Sequence, residues 1–301
     1  MAPPSSLKNP VFTGYKFMGR RYFHKQMKFV MAKIRPLVIW AAMGVLAGCA
    51  PGDESENFGA AAVVYGEHRL EKSIGPCQQE GAACLHIELA WQEIDSGLSD
   101  GVRSAINTEI QRLLAAQFST DEGATTTPDA SAALMAESFA ALHEEMPDVQ
   151  QQWSWESQGT FNLNMAGFLG YTLDNYLYTG GAHGIGTSVN LLFSVASGQT
   201  VSWEELFEPS AKADLLAYAE SAFKAQFLQP NQTLADGGYW FPNEEFYLPT
   251  NFKVTAEGMI FRYEVYEIGP YAMGPVELIL PMKDVGKWLR PEIKQWKDQR
   301  P

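Results

Sequence analysis

The sequence predicts an α+β fold: an antiparallel sheet with amphipathic helices packed on one face, arranged in two lobes. Three observations predict it. Several short runs alternate apolar and polar residues, the period of half-buried strands, and longer stretches carry apolar residues at helical spacing. The 301 residues are 46% hydrophobic and only 19% charged, so the chain can bury a sizeable core. That composition excludes a disordered chain, a collagen or a disulfide-only miniprotein.

The elements follow in order. Residues 60–65 and 85–91 read as strands; in the second, Leu85, Ile87, Leu89 and Trp91 alternate with His86, Glu88, Ala90 and Gln92. Ser99 or Asp100 then opens a helix with Val102, Ile106, Ile110, Leu113, Leu114 and Phe118 on one face. Residues 125–128 break it, and a second helix carries Leu134, Met135, Phe139, Leu142 and Met146 until Pro147 ends it. The period then returns to two through Phe161, Leu163 and Met165, through residues 171–178, and through Val189, Leu191, Phe193 and Val195. A short helix is expected at 203–207 and a longer one at 211–228, followed by an exposed loop at 229–243. Strands at 246–248, 259–265 and 276–280 and a terminal helix at 284–288 complete the pattern. There is no internal repeat. The helical pair at 98–149 places the lobe boundary near residue 150, giving lobes of 60–150 and 151–301.

The start of the chain reads as an address. Positions 37–47 form an apolar run behind Lys33 and Arg35, long enough for a signal-peptide core and too short to span a bilayer. Leu46-Ala47-Gly48-Cys49 resembles the lipobox of bacterial lipoproteins, which implies a signal peptide over 1–48, lipidation at Cys49 and a tether over 49–59. Ala50 in place of Asp implies the periplasmic face of the outer membrane. The long segment before the apolar run makes Met27 or Met31 alternative starts to Met1.

Charge sharpens this picture. The whole chain has a net charge of -13, but residues 1–48 hold eight Lys/Arg and no acid, which leaves 14 basic against 35 acidic residues and a charge of -21 from Cys49 onward. So acidic a body argues against nucleic-acid binding, which depends on clustered Lys and Arg. Long-range steering would instead favour basic partners, and solubility accounts for the charge equally well. Cys77 and Cys84 are the remaining cysteines. In an oxidising periplasm they read as a disulfide closing a hairpin, rather than as a metal pair, because no His or second Cys pair stands at ligand spacing.

Standard catalytic spacings are absent. His143-Glu144 opens like a zinc-protease motif, but Pro147 stands where the second His must be. No G-x-S-x-G turn occurs, and the glycine-rich 180–186 segment lacks a phosphate-binding Lys. Two segments remain as candidates. His183 sits among Gly180, Gly181 and Gly184, where it could meet a ligand or act as a base, with Asp174 and Glu267 as possible partners. A turn histidine bonded to the backbone is the commoner outcome. Tyr263-Glu264-Val265-Tyr266-Glu267 leads into Ile268-Gly269-Pro270-Tyr271, a possible carboxylate–aromatic surface; a strand running into a Gly-Pro turn is the plainer reading. Its paired acids also raise a glycosidase-type possibility. Trp153 and Trp155 share a face that is more often core than sugar platform.

Taken together, Gly180-Gly181-Ala182-His183, Val201-Ser202-Trp203-Glu204-Glu205-Leu206-Phe207, Glu245-Phe246-Tyr247-Leu248 and Tyr266-Glu267-Ile268-Gly269-Pro270-Tyr271 resemble the RsiV-like domain of unknown function. That extracellular module also stands beside the catalytic domain of the peptidoglycan deacetylase PdaC. The likeness covers roughly residues 60–290, and its comparable domain in RsiV recognises lysozyme. It implies an α+β envelope module with Gly180, Gly181, His183, Glu267 and Tyr271 as candidate binding positions. The chain lacks the sigma-binding segment and the deacetylase domain of those relatives, so no catalytic residue carries over. Binding is expected rather than catalysis, with a cationic protein such as lysozyme or peptidoglycan as partner and with no cofactor or metal. A peptidoglycan hydrolase using His183 and Glu267, and a structural scaffold, are the alternatives.

Overall fold

The computed structural model describes residues 62–298, apart from residues 80, 120–124 and 166. The expected signal peptide over 1–48, Cys49 and the expected tether over 49–59 lie outside the described residues. Among the described residues, no helix is long and apolar enough to cross a membrane.

The first sheet has five strands: β1 (Val64–Ile74), β2 (Cys84–Ser96), β3 (Gln152–Met165), β4 (Phe168–Tyr178) and β5 (Ile185–Ser194), in that spatial order. The alternation read from 85–91 holds, with Leu85, Ile87 and Leu89 fully buried while His86, Glu88 and Ala90 turn to the other face. One expectation is corrected. β2 and β3 run parallel, so the sheet is mixed; every other pair is antiparallel. The reason is the connection: α1 (Asp100–Ala115) and α2 (Pro128–Glu145) carry the chain back across the sheet, as a parallel pair requires.

Both helices cover the apolar face. Ile106, Ile110 and Leu114 of α1 and Met135 and Phe139 of α2 pack with Leu85, Ile87, Trp155 and Tyr171 in one core. At the start of α2, Thr127 accepts a hydrogen bond from Ala130 N at 3.3 Å, and Pro128 occupies the first turn. Ser99 precedes α1 but makes no side-chain capping bond. Met146, expected on the apolar stripe, lies just past the end of α2 and is 45% exposed.

The same sheet crosses residue 150, where the sequence places the lobe boundary. Strands on either side of that position pair along their length, from Cys84 with Gln152 to Trp91 with Gly159. The two hydrophobic cores meet at β5 instead, with Phe193 in the first and Leu192 in the second. The periodic helical pair at 98–149 is thus a crossover within one lobe, and the lobes divide after β5.

The second lobe contains α3 (Trp203–Leu206), α4 (Lys212–Phe227) and a three-stranded antiparallel sheet of β6 (Phe252–Val254), β7 (Gly258–Tyr263) and β8 (Val276–Pro281). Two short helices, α5 (Met282–Val285) and α6 (Pro291–Asp298), follow, where a single terminal helix was expected. Residues 246–248 are not a strand. They lie between Pro242 and Pro249 and bury Leu248 and part of Phe246 and Tyr247 without a ladder. Phe223 of α4 is the aromatic centre of this lobe, with Tyr239, Phe241, Phe246 and Tyr263 around it at 5.0–6.0 Å between ring centroids.

Asn251 joins the lobes. Its carboxamide donates to Ser188 O at 2.6 Å and accepts from Asn190 N at 2.9 Å, the two positions a neighbouring strand would use on β5. An Asn251→Ala variant leaves those backbone groups unmatched. It should lower stability by about 1–3 kcal/mol in urea denaturation.

Cys77 and Cys84 form a disulfide at the β1–β2 connection. They stand seven positions apart in sequence, so the closed loop is short. Replacing both with Ser should cost about 2 kcal/mol, read as a lower urea midpoint than that of the oxidised protein.

Several phenols titrate late. The Tyr218 hydroxyl donates to Asp284 at 2.9 Å, and burial, then that carboxylate, pushes its pKa up to about 12. Burial similarly raises Tyr239 and Tyr65. A raised phenol pKa means the folded state favours the neutral form. Its contribution is therefore complete below about pH 10 and is lost as pH rises toward 12. Denaturation at about pH 9 and about pH 11.5 should show falling stability, with a smaller fall in Tyr218→Phe.

Candidate functional site

Among the described residues, α1 and α2 pack on the inner face of the first sheet and no long helix covers its outer face. Strand register sets Glu71, Glu88, Glu156, Tyr176 and Gly186 in one row and Arg69, Ala90, Gln158, Asp174 and Ser188 in the next. Opposite β2–β5 stand Arg262, Val265 and the segment 271–275 of the second lobe. Between them lies an open cleft of about 1410 Å³.

Its charges are unevenly matched. Glu88 bonds to Arg69, and Arg262 is held by Glu264 at 2.6 Å and Glu277 at 2.8 Å. Glu156 and Asp174 are exposed, and their carboxylates make no side-chain hydrogen bond or ion pair with any described residue. The cleft therefore presents two uncompensated carboxylates beside an acid-rich arginine cluster. Among the described residues there is no group of three or more His, Cys, Asp or Glu able to hold a metal ion.

One end of the cleft is aromatic, and the glycine-rich segment explains how. Gly180 and Gly181 have φ of 94° and 98°, a left-handed conformation that costs glycine nothing. Gly184 is needed for another reason, since a Cβ there would clash with Cζ and the hydroxyl oxygen of Tyr176. Its carbonyl accepts from the Tyr271 hydroxyl at 3.0 Å and meets His183 Nδ1 at 3.0 Å. His183 also stacks on Tyr271, with ring centroids 3.8 Å apart and planes 17° from parallel. Tyr266 lies 5.6 Å from Tyr271. Burial first, then Tyr271, Glu156 and Tyr178 beside it, raises the Tyr176 phenol.

The candidate residues separate accordingly. His183 and Tyr271 belong to one assembly, in which His183 bonds the backbone as a turn histidine does and Tyr271 lines the cleft, whereas Gly180 lies against the Gln151 side chain. Gly181 is exposed on that loop, and its carbonyl accepts from Tyr178. Glu267 is committed elsewhere: one oxygen accepts from Tyr247 at 3.0 Å and the other from Glu264 N at 2.9 Å. The chain leaves β7 at Tyr263, so Glu264–Glu267 is a turn and not a strand with two faces; Tyr266 there has φ of 68°. No hydrogen bond or ring contact joins His183 to Glu267 or to Asp174. Trp155 is fully buried and Trp153 partly so, which makes the pair core. Glu88, Glu156 and Tyr176 were not singled out from sequence; they occupy the polar positions of alternating strands, and register alone brings them together.

This architecture is shared with solved proteins. A DUF3298 family protein from Bacteroides fragilis superposes with a TM-score of 0.62 at 18% identity, covering 79% of this chain and 99% of that one. A DUF3298 family protein from Pseudomonas aeruginosa gives 0.56 at 18% identity, covering 76% and 96%. At such identities the likeness is one of fold. Residues 204–283 of this chain match the family described as "Protein of unknown function (DUF3298)". The matched span holds Arg262, Glu267 and Tyr271 but not the glycine-rich segment. No curated protein matches the chain.

Proposed function

We propose that the protein is a lipid-anchored module of the bacterial envelope that binds a cationic protein, with lysozyme as the representative partner, in the cleft over its first sheet. The observation that carries this reading is the pair of carboxylates, Glu156 and Asp174, left without an ion-pair partner among the described residues in the cleft between the first sheet and the second lobe. Two negative charges left without partners attract a basic surface, and the charge of -21 from Cys49 onward speeds the encounter. The lipobox at Cys49 supports anchorage at the periplasmic face of the outer membrane, where acyl chains hold a protein by about 0.8 kcal/mol per buried CH2. The resemblance to the RsiV-like domain supports lysozyme as the first partner to try. Peptidoglycan hydrolysis through His183 and Glu267 is less supported, since the Glu267 carboxylate is already bonded on both oxygens.

Binding of lysozyme should be measured at low and moderate salt. The expected result is saturable binding that weakens as salt rises, because exposed charges are screened beyond about 10 Å at 0.1 M. Absence of binding at both salts, or turnover of muropeptides dependent on His183, would overturn the reading.

A further inference from the structure

The cleft is more selective than a diffuse negative surface. Tyr176 and Tyr271 line it at the same end, both packed against Gly184, and Tyr176 lies beside Glu156 in one sheet row. The next row adds Asp174. Among the described residues, the cleft sets the Tyr176 ring beside the two carboxylates, while one face of Tyr271 is already taken by His183; a cation there meets acceptor oxygens together with the Tyr176 ring. An ammonium ion uses these as a compact, strongly hydrated point charge. A guanidinium ion is planar and weakly hydrated, stacks on a ring and gives a carboxylate two parallel N–H donors.

We infer that the cleft takes an arginine side chain of the partner, its guanidinium against the Tyr176 and Tyr271 end and its N–H groups on Glu156 and Asp174. The occupant is therefore an arginine-bearing loop of a protein. A glycan strand would use the rings without needing either charge, and nothing in the cleft supplies the cationic groups that an anionic ligand would require beyond the already paired Arg262. This inference rests on the binding reading above and adds the group recognised.

The test uses the full chain with three ligands: lysozyme, an arginine octapeptide and a lysine octapeptide. Glu156→Gln and Asp174→Asn change exposed side chains and leave the fold intact. Tyr176→Phe keeps the ring, and Tyr176→Leu removes it. The expected result is tighter binding of the arginine peptide than the lysine peptide. Loss of about tenfold should follow in each charge variant, and about 2–30-fold in Tyr176→Leu, with Tyr176→Phe close to the original. Lysozyme binding that persists unchanged in the charge variants and in Tyr176→Leu overturns the inference while leaving the binding reading standing. Equal affinity for the two peptides, or a chito-oligosaccharide that binds the charge variants as well as the original protein, also overturns it. Failure of every ligand to bind overturns both.

Discussion

Replacing Trp155 with Ala lowers the stability of the protein by about 3–5 kcal/mol, the largest loss expected of any single change described above. Trp155 has no exposed surface and fills the space between the first sheet and its two helices. Its indole N–H donates to Asn175 Oδ1 at 2.8 Å, and the Ser157 hydroxyl donates to the same oxygen at 2.7 Å. Truncation therefore leaves a cavity against Phe118 and strips one partner from a buried polar group. Trp155→Phe keeps most of the volume and loses the donor. It should fall between the original and Trp155→Ala in urea midpoint. If Trp155→Ala unfolds at the original midpoint, Trp155 is not the packing centre of the first lobe.

The second large effect belongs to Gly184. A β-carbon there would lie 2.4 Å from Cζ and the hydroxyl oxygen of Tyr176, so Gly184→Val forces the ring and the loop apart. Overpacking at a buried position costs about 1–3 kcal/mol. The functional effect exceeds the stability effect, because the displaced loop also carries the His183–Tyr271 stack and the Tyr271 bond to Gly184 O. Near-UV circular dichroism from the tyrosines should change sharply while the far-UV spectrum is retained. Gly181→Ala, on the same loop, meets no neighbouring atom within 4 Å and should disturb packing less, its cost arising from the φ of 98° alone. Equal near-UV changes in the two variants would contradict the spacer role of Gly184.

Most of the elements were legible because burial imposes a period on them. Leu85, Ile87 and Leu89 alternate in sequence because they alternate across a sheet with one face covered. Edges were harder. β1 runs from Val64 to Ile74, well beyond the 60–65 strand that apolar alternation suggested, because on this edge strand the inner face is only partly buried and is filled in part by polar residues, His68 stacking on Trp91 between Tyr65 and Leu70. The parallel pairing of β2 and β3 was also illegible. Direction depends on how the helical crossover returns the chain, and neither strand's own residues record it. The same limit applied to the lobe boundary, since helices that connect two strands of one sheet look locally like a linker between lobes.

The site divides in the same way. The segments holding His183 and Tyr271 stood out as motifs, yet their stacking across 88 positions of sequence is a product of tertiary structure. Glu156 drew no notice because a polar residue in an alternating strand is ordinary. Its significance comes from the row it shares with Glu88 and Tyr176 and from the lack of a partner. Glu267 was prominent in the sequence through its neighbours and proved to be a turn carboxylate bonded to Tyr247.

Hydrogen–deuterium exchange of the protein, alone and saturated with lysozyme, tests the central claim most directly. Amides of β3–β5 around Glu156, Asp174 and Ser188, together with residues 271–275, should become protected on binding, whereas α4 and the β8 edge should exchange as before. Protection confined to α4 and β8, with the cleft strands unchanged, would contradict the assignment of the first sheet's open face as the binding surface.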